Sequence, residues 1–291
     1  MWFIFALLSA VFAGLHTFMV KVAAEKKYDT YLLGAFSSFG TAVLALILFI
    51  ATSPDRFVPG SLYLFGIATG VLFASFTIAR MEALKLIDAA LFFPLYKVIG
   101  PAVVAVIGIF ILKESITPAE LIGIGLSCAV PLLLISREEN HRQKNLRLGL
   151  ILMAVGTVLA SFSAAVNAVA VQGNASLALP LVALANAFAA VVHFGLFLSK
   201  HRKAGIRSQM KAFSTKTFLS MSFANGVVQL LSFYFLLLAL VDSNLSIVYS
   251  INAHYILIPV LLSVWLYKEH WNKQKAAALV LSMLALVLLH R

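Results

Sequence analysis

The sequence predicts an all-α integral membrane protein of about ten transmembrane helices, arranged as two inverted five-helix repeats. Three observations predict it. Of the 291 residues, 62% are apolar and 11% charged, with a mean hydropathy of +0.99; water-soluble domains are about half apolar and a quarter charged. The apolar residues gather into runs of about 20, the length that crosses a hydrocarbon core roughly 30 Å thick. The third observation is an internal repeat, described below. Composition excludes the soluble, disordered and disulfide-rich secreted classes. The single cysteine, Cys128, excludes an intrachain disulfide and a multi-thiolate zinc site. A net charge of +11 with no polar basic domain or tail gives no nucleic-acid partner.

In chain order, Trp2–Val20 comes first; without a basic stretch ahead of it or a small-x-small cleavage site, it is expected to be a retained helix. Tyr31–Ala51 follows and ends at Ser53-Pro54-Asp55. Next come Leu62–Arg80 and Ala89–Leu112, then Pro118–Ser136 behind the Thr117-Pro118 turn. The polar stretch Arg137–Asn145 separates these from Leu148–Val171, and Gly173-Asn174 turns the chain into Leu177–Ser199. After the basic segment Lys200–Lys216 come Phe218–Val241, Leu245–Tyr267 and Lys275–His290. The bilayer is thus the solvent for most of the chain.

Short loops rich in Lys and Arg stay on the cytoplasmic side. All but four of the 22 basic residues lie after helices 1, 3, 5, 7 and 9; the exceptions are Arg56, Lys97, Lys113 and Arg291. Both termini are therefore expected outside the cytoplasm, and the net charge needs no acidic partner. The expected location is the inner membrane of a prokaryotic cell.

The repeat is carried by Leu84-Lys85-Leu86-Ile87-Asp88, whose following apolar helix ends Lys113-Glu114, and Leu238-Ala239-Leu240-Val241-Asp242, whose following helix ends Lys268-Glu269. The Asp-to-Glu spacings are 26 and 27 residues. This divides the chain into a first unit at 1–138, a charged linker at 139–147 and a second unit at 148–291. Five helices are an odd number, so the second unit enters the membrane inverted, the construction that places a transport site near the midplane.

These features resemble the drug/metabolite transporter superfamily, EamA type: two five-helix units, the Ala83-Leu84…Asp88 approach to helix 4, the Pro94…Gly100-Pro101 interior, and the Lys113-Glu114 and Lys268-Glu269 exits. The family's usual Gly-Glu after helix 4 is Lys-Glu here. The resemblance implies a ten-helix permease whose central cavity is lined mainly by helices 1, 3, 4, 6, 8 and 9, with helices 5 and 10 peripheral. Many members are drawn with cytoplasmic termini, opposite to the charge distribution of this chain.

Ionisable groups inside a span are costly and so are candidates for function. Lys97 lies well inside helix 4 between Pro94 and Pro101, and reads as a cation for an anionic substrate group, as a proton-exchanging lysine, or as a lysine snorkelling to an interface. All eleven carboxylates fall in loops or at helix ends, which disfavours export of cations against protons. Glu114 and Glu269 read as helix-end or gate groups. Arg80, beside Glu82, Lys85 and Asp88, reads as a gate or an interfacial anchor. Asn225, Gln229 and Ser232 share a face of helix 8, and Asn252, Tyr255 and Pro259 a face of helix 9; Asn252 stands about where Lys97 stands in the first unit. Helix 6 adds Ser163 and Asn167, and helix 1 adds His16. Each of these also reads as an interhelical hydrogen bond. His193 shares a face with Asn186, and His254 sits away from Asn252; both read as packing residues or proton carriers.

The seven histidines form no i, i+4 pair and no HExxH, so no metal site or other cofactor is expected. No GxxxxGK[ST] motif is present either. The expected function is therefore a secondary, ATP-independent transporter of a small polar metabolite with an anionic or zwitterionic group, and not an enzyme. Lys97, Asn225, Gln229, Asn252, Tyr255, Asn167 and His16 are its substrate residues, and Arg80, Glu114 and Glu269 its gates. The alternatives are an exporter of lipophilic drugs, a membrane-embedded lipid-modifying enzyme using His193, His254 or Arg80, or a scaffold that keeps the fold. The small residues Gly123, Gly125, Ser127 and Ala129 of helix 5 suit close packing or a homodimer contact.

Overall fold

A computed structural model describes residues 1–25, 28–53, 58–84, 86–87, 89–134, 145–200, 216–258, 261 and 273–290. The described residues form helices and no strand. They are α1 (Trp2–Glu25), α2 (Thr30–Thr52), α3 (Gly60–Leu84), α4 (Ala89–Val106), α5 (Pro118–Leu133), α6 (Leu146–Val171), α7 (Ala178–Lys200), α8 (Lys216–Val241), α9 (Leu245–Ala253) and α10 (Lys273–Leu289). Seven stretches among the described residues are long and apolar enough to cross a membrane; α5 is apolar but shorter. Large apolar side chains such as Phe39, Leu64, Phe110, Val191 and Val280 face outward. In water such a surface would be a liability, and in lipid it is ordinary solvent contact.

The helix ends follow local chemistry. Asp29 caps α2 by accepting from the N–H groups of Tyr31 and Leu32, each at 3.0 Å. Thr117 and Glu120 form a reciprocal capping box at the start of α5, with Pro118 in the first turn where no amide hydrogen is needed. Asn145 caps α6, and Gly173 takes φ +70° in the turn that follows it. At the end of α4 the winding loosens into a π-turn, Ile107–Ile111. α9 tightens into a 3₁₀ turn at His254–Ile256 instead of running on as regular α-helix.

Packing obeys an exchange of the two halves. α2 lies along α7, α5 along α10, and α4 against α9. The contact of α1 with α8 is matched by that of α6 with α3, and α3 with α7 by α8 with α2. Glycines permit both members of the last pair. A Cβ on Gly70 would stand 2.5 Å from the Ala185 carbonyl of α7, and one on Gly226 would stand 2.9 Å from the Ser37 carbonyl of α2. Without a side chain there, the helix backbones come close enough for van der Waals packing, the main attraction between helices in lipid.

The largest core cluster joins Ala6, Ala45, Leu62, Val104, Val171, Leu181, Leu240 and Leu245. These residues come from the same end of the bundle. Smaller clusters at the other end centre on Phe197 and Phe218, and on Ile87 and Phe92.

Candidate functional site

Between the helices lies a cavity of about 220 Å³ lined from α1, α2, α3, α4, α6, α7, α8 and α9. α5 and α10 contribute nothing to its lining. Participation of α2 and α7 goes beyond the helices implied by the family resemblance, and it follows from the close α2–α7 packing. The lining reaches Val20, Thr30 and Leu84 at one end of the bundle. At the opposite end the largest core cluster fills the space. Among the described residues the cavity therefore extends toward the first end and is filled at the second.

All seven residues expected to bind substrate line this cavity: His16, Lys97, Asn167, Asn225, Gln229, Asn252 and Tyr255, joined by Arg80. Sequence periodicity brought Asn225 together with Gln229; only the fold brings them to Lys97. The Lys97 side chain is 8% exposed, so it does not snorkel to an interface. Its Nζ stands 3.6 Å from the centre of the Tyr255 ring and 5.2 Å from that of Tyr96. A cation over aromatic faces is worth about 2 kcal/mol when desolvated, which offsets part of its burial cost. Among the described residues no carboxylate lines the cavity, and Lys97 and Arg80 are its basic side chains.

The neutral polar groups are tied into the wall. Asn225 Nδ2 donates to Ser37 Oγ at 3.0 Å, and Ser37 Oγ donates to the Ser222 carbonyl at 3.3 Å. Asn252 Nδ2 donates to Ser9 Oγ at 2.8 Å, which donates to the Ser232 carbonyl at 3.0 Å. Gln229 Nε2 donates to Asn186 Oδ1 at 2.6 Å, and Asn186 Nδ2 donates to the Val182 carbonyl at 2.9 Å. On α6, Asn167 Oδ1 accepts from Thr69 Oγ1 at 2.8 Å. Asn167, Asn225, Gln229 and Asn252 therefore each bond across helices and also border the cavity, while Asn186 stands behind Gln229 outside its lining.

The expected gate residues separate. Arg80 borders the cavity near its open end. Glu114 caps α9: its carboxylate accepts from the Leu245 N–H at 2.5 Å, the Ser246 N–H at 3.2 Å and Ser246 Oγ at 2.5 Å. Asn244, the residue at the cap position, makes no side-chain cap bond, and its Nδ2 donates to the Ser115 carbonyl at 3.0 Å instead. A first-half carboxylate therefore satisfies the amide ends of a second-half helix, where the helix dipole favours negative charge. Lys113 immediately before it has φ +59°, a left-handed conformation that aims Glu114 back at α9. A glycine would adopt that conformation without strain. Glu269 and Pro259 lie outside the described residues.

Several cavity residues were not singled out from the sequence as substrate contacts. Tyr96 and Tyr249 line it, and so does His193, which is wholly buried. His254 does not line it; its Nδ1 lies 3.1 Å from the Ile251 carbonyl. The face shared by His193 and Asn186 was the available signal, since Asn186 supports Gln229. Tyr96 had only its position beside Lys97.

The family model described as "EamA-like transporter family" matches residues 1–137. A solved structure titled "Crystal structure of protein" is similar over 97% of this chain and 95% of its own, with a TM-score of 0.73 and 15% sequence identity, a likeness of fold. No curated protein matches the chain.

Proposed function

We propose, from the match of residues 1–137 to the EamA-like transporter family, that the chain is a membrane transporter of the drug/metabolite transporter superfamily, EamA type, and that it moves a small polar metabolite with an anionic or zwitterionic group. One observation carries the reading: Lys97 is buried in the cavity with its ammonium over the Tyr255 ring, and among the described residues no carboxylate lines that cavity. An anion supplies a counter-charge to Lys97, and the low dielectric around a side chain 8% exposed strengthens that attraction. A lipophilic cation would meet like charge. The paired packing of α2 with α7, α4 with α9 and α5 with α10 supports two inverted units, 1–138 and 148–291, that rock about a shared site.

The cavity that extends toward one end is one end state of that exchange. With the basic loops held in the cytoplasm, its open end faces the cytoplasm and the termini lie outside. Glu114 on α9 clasps the closed end. Transport then requires the clasp and the apolar plug around Leu62 and Leu240 to part while the opposite end closes. The substrate's own gradient, exchange or an ion gradient drives it.

Thermal-shift measurements on purified protein test the reading. An anionic or zwitterionic metabolite stabilises the wild type, and Lys97→Gln loses that response. Equal stabilisation of both proteins by cations would overturn it.

A further inference from the structure

The two halves of the bundle are alike in backbone and unlike in polarity at one level. Gly70 of α3 faces the Ala185 carbonyl and the Ala189 amide of α7, and Gly226 of α8 faces the Ser37 carbonyl and the Thr41 amide of α2 in the same way. Positions in one half can therefore be matched to positions in the other. One helical turn beyond Ala189 and Thr41 stand His193 and Ala45, and one turn before Gly226 and Gly70 stand Ser222 and Gly66. Ala45 belongs to the largest apolar cluster. His193 instead sets its ring against Gly34, where a Cβ would lie 3.3 Å from the ring carbons. Packing asks only for volume at such a position, and the matching one is filled by an apolar residue.

The nitrogens of His193 need another reason. The residue is wholly buried and lines the cavity, and neither ring nitrogen makes a hydrogen bond; the Ala189 carbonyl one turn back acts on the ring without closing one. Asn225 Oδ1 and Ser222 Oγ are also buried without a partner, a condition rare for polar atoms in a folded protein. They belong to the same level. Asn225 donates to Ser37 and the Ser222 carbonyl accepts from Ser37, one turn along α2 from the Gly34 that meets the ring. A neutral imidazole has one N–H, whereas a protonated one has two and accepts nothing. Two unpartnered oxygens at the level of two unpartnered ring nitrogens suit the protonated ring, directly or through water. The titratable groups toward this end of the helices packed on α7 are Tyr31 of α2, Arg80 and Glu82 of α3, Asp29 ahead of α2 and Lys216 at the start of α8. Tyr31 donates to Glu82 at 3.0 Å and Asp29 pairs with Lys200 at 3.8 Å, so both acids are engaged there. On the remaining walls of the cavity stand His16, Tyr96, Lys97, Tyr249 and Tyr255.

We propose that His193 is a proton-binding site that couples transport: it takes up a proton as the anion binds and releases it as the anion leaves, so that the two cross the membrane together. This rests on the anion reading of the cavity. Lys97 comes from α4 and His193 from α7, helices not packed along one another, so an anion in the cavity has one of them on each side. Its charge favours the imidazolium, and the imidazolium favours the anion in return, because linkage is reciprocal. Without the anion, a second buried positive charge in the cavity of Lys97 is opposed, and the empty carrier returns unprotonated. The lone pair of the unprotonated ring nitrogen takes a proton from water on one side of the membrane, and the N–H so formed gives it to water on the other; no other bond is made or broken.

The test titrates purified full-length protein with lactate, pyruvate, gluconate and methanesulfonate, which stay monoanionic from about pH 5.5 to about pH 8, a range that spans the ordinary imidazole value of about 6.5. Affinities are taken from concentration-dependent thermal shifts for the wild type, His193→Gln and His193→Ala, the last copying Ala45 of the other half. At least one anion binds the wild type about tenfold or more tightly at the acid end of the range than at the alkaline end. In the variants that ratio falls to about one. In proteoliposomes an inward proton gradient drives accumulation of the same labelled anion by the wild type and no longer does so in the variants. Wild-type affinity that ignores pH overturns the proposal and leaves the anion reading standing, whatever the variants do. A pH dependence that survives in a variant overturns it equally, since the proton then sits elsewhere. Binding of none of the anions at either pH overturns both.

Discussion

Replacing Lys97 with methionine separates a residue kept for function from one kept for stability. The two side chains have similar volume and flexibility, so packing is nearly conserved. A lysine at the centre of a membrane helix costs about 2.5–3.5 kcal/mol on insertion scales. The ring of Tyr255, 3.6 Å from the ammonium, returns about 2 kcal/mol, and among the described residues no carboxylate pairs with Lys97. The difference leaves a net cost of about 1 kcal/mol. Lys97→Met is therefore expected to be about 1 kcal/mol more stable than the wild type without ligand, and to lose the stabilisation that anions give. The assay is the apparent melting temperature in detergent with and without a saturating anionic metabolite. A variant less stable by about 2 kcal/mol or more, or one that keeps the anion response, would refute the reasoning, because Lys97 would then be part of the scaffold.

Three further outcomes follow from the geometry. Lys113→Gly relieves a left-handed backbone at φ +59°; with the entropy of the added glycine set against about 1–2 kcal/mol of relieved strain, the melting temperature stays level or rises, whereas Lys113→Val lowers it. Glu114→Gln keeps an acceptor for Leu245 and Ser246 but loses the charge, so chemical or thermal denaturation should show a loss of about 1–2 kcal/mol; an unchanged midpoint would contradict the clasp. Gly70→Val drives a side chain into the Ala185 carbonyl, 2.5 Å from where its first carbon would lie, and a loss of about 3 kcal/mol or failure to purify as a monodisperse species is expected.

The parts of this fold that were legible in the sequence are those set by the bilayer. Apolar runs marked the helices, and Thr117-Pro118 and Gly173-Asn174 marked breaks that the structure places at a capping box and a positive-φ turn. Lys97 stood out because a charge inside a span is rare. Asn225, Gln229 and Asn252 stood out because amides share helical faces. What the sequence concealed is three-dimensional. Ser9 and Ser37, which hold Asn252 and Asn225, are distant in sequence from their partners and look like ordinary small residues of apolar helices, and Asn186 was marked by the face it shares with His193 but not as the partner of Gln229. The Tyr255 ring over Lys97 depends on how α9 meets α4, and no spacing rule links the two positions. Glu114 was readable as a helix-end group, but not as the cap of a helix in the other half.

The most direct measurement is uptake into proteoliposomes containing the purified protein, loaded inside with an unlabelled metabolite and offered the same labelled metabolite outside. Acids bearing an amine or hydroxyl, plain acids and lipophilic cations are compared for the wild type and Lys97→Gln. Accumulation of a labelled anionic or zwitterionic metabolite by the wild type, abolished in Lys97→Gln, is the expected result. Accumulation of cations alone, unaffected by Lys97→Gln, would contradict the account.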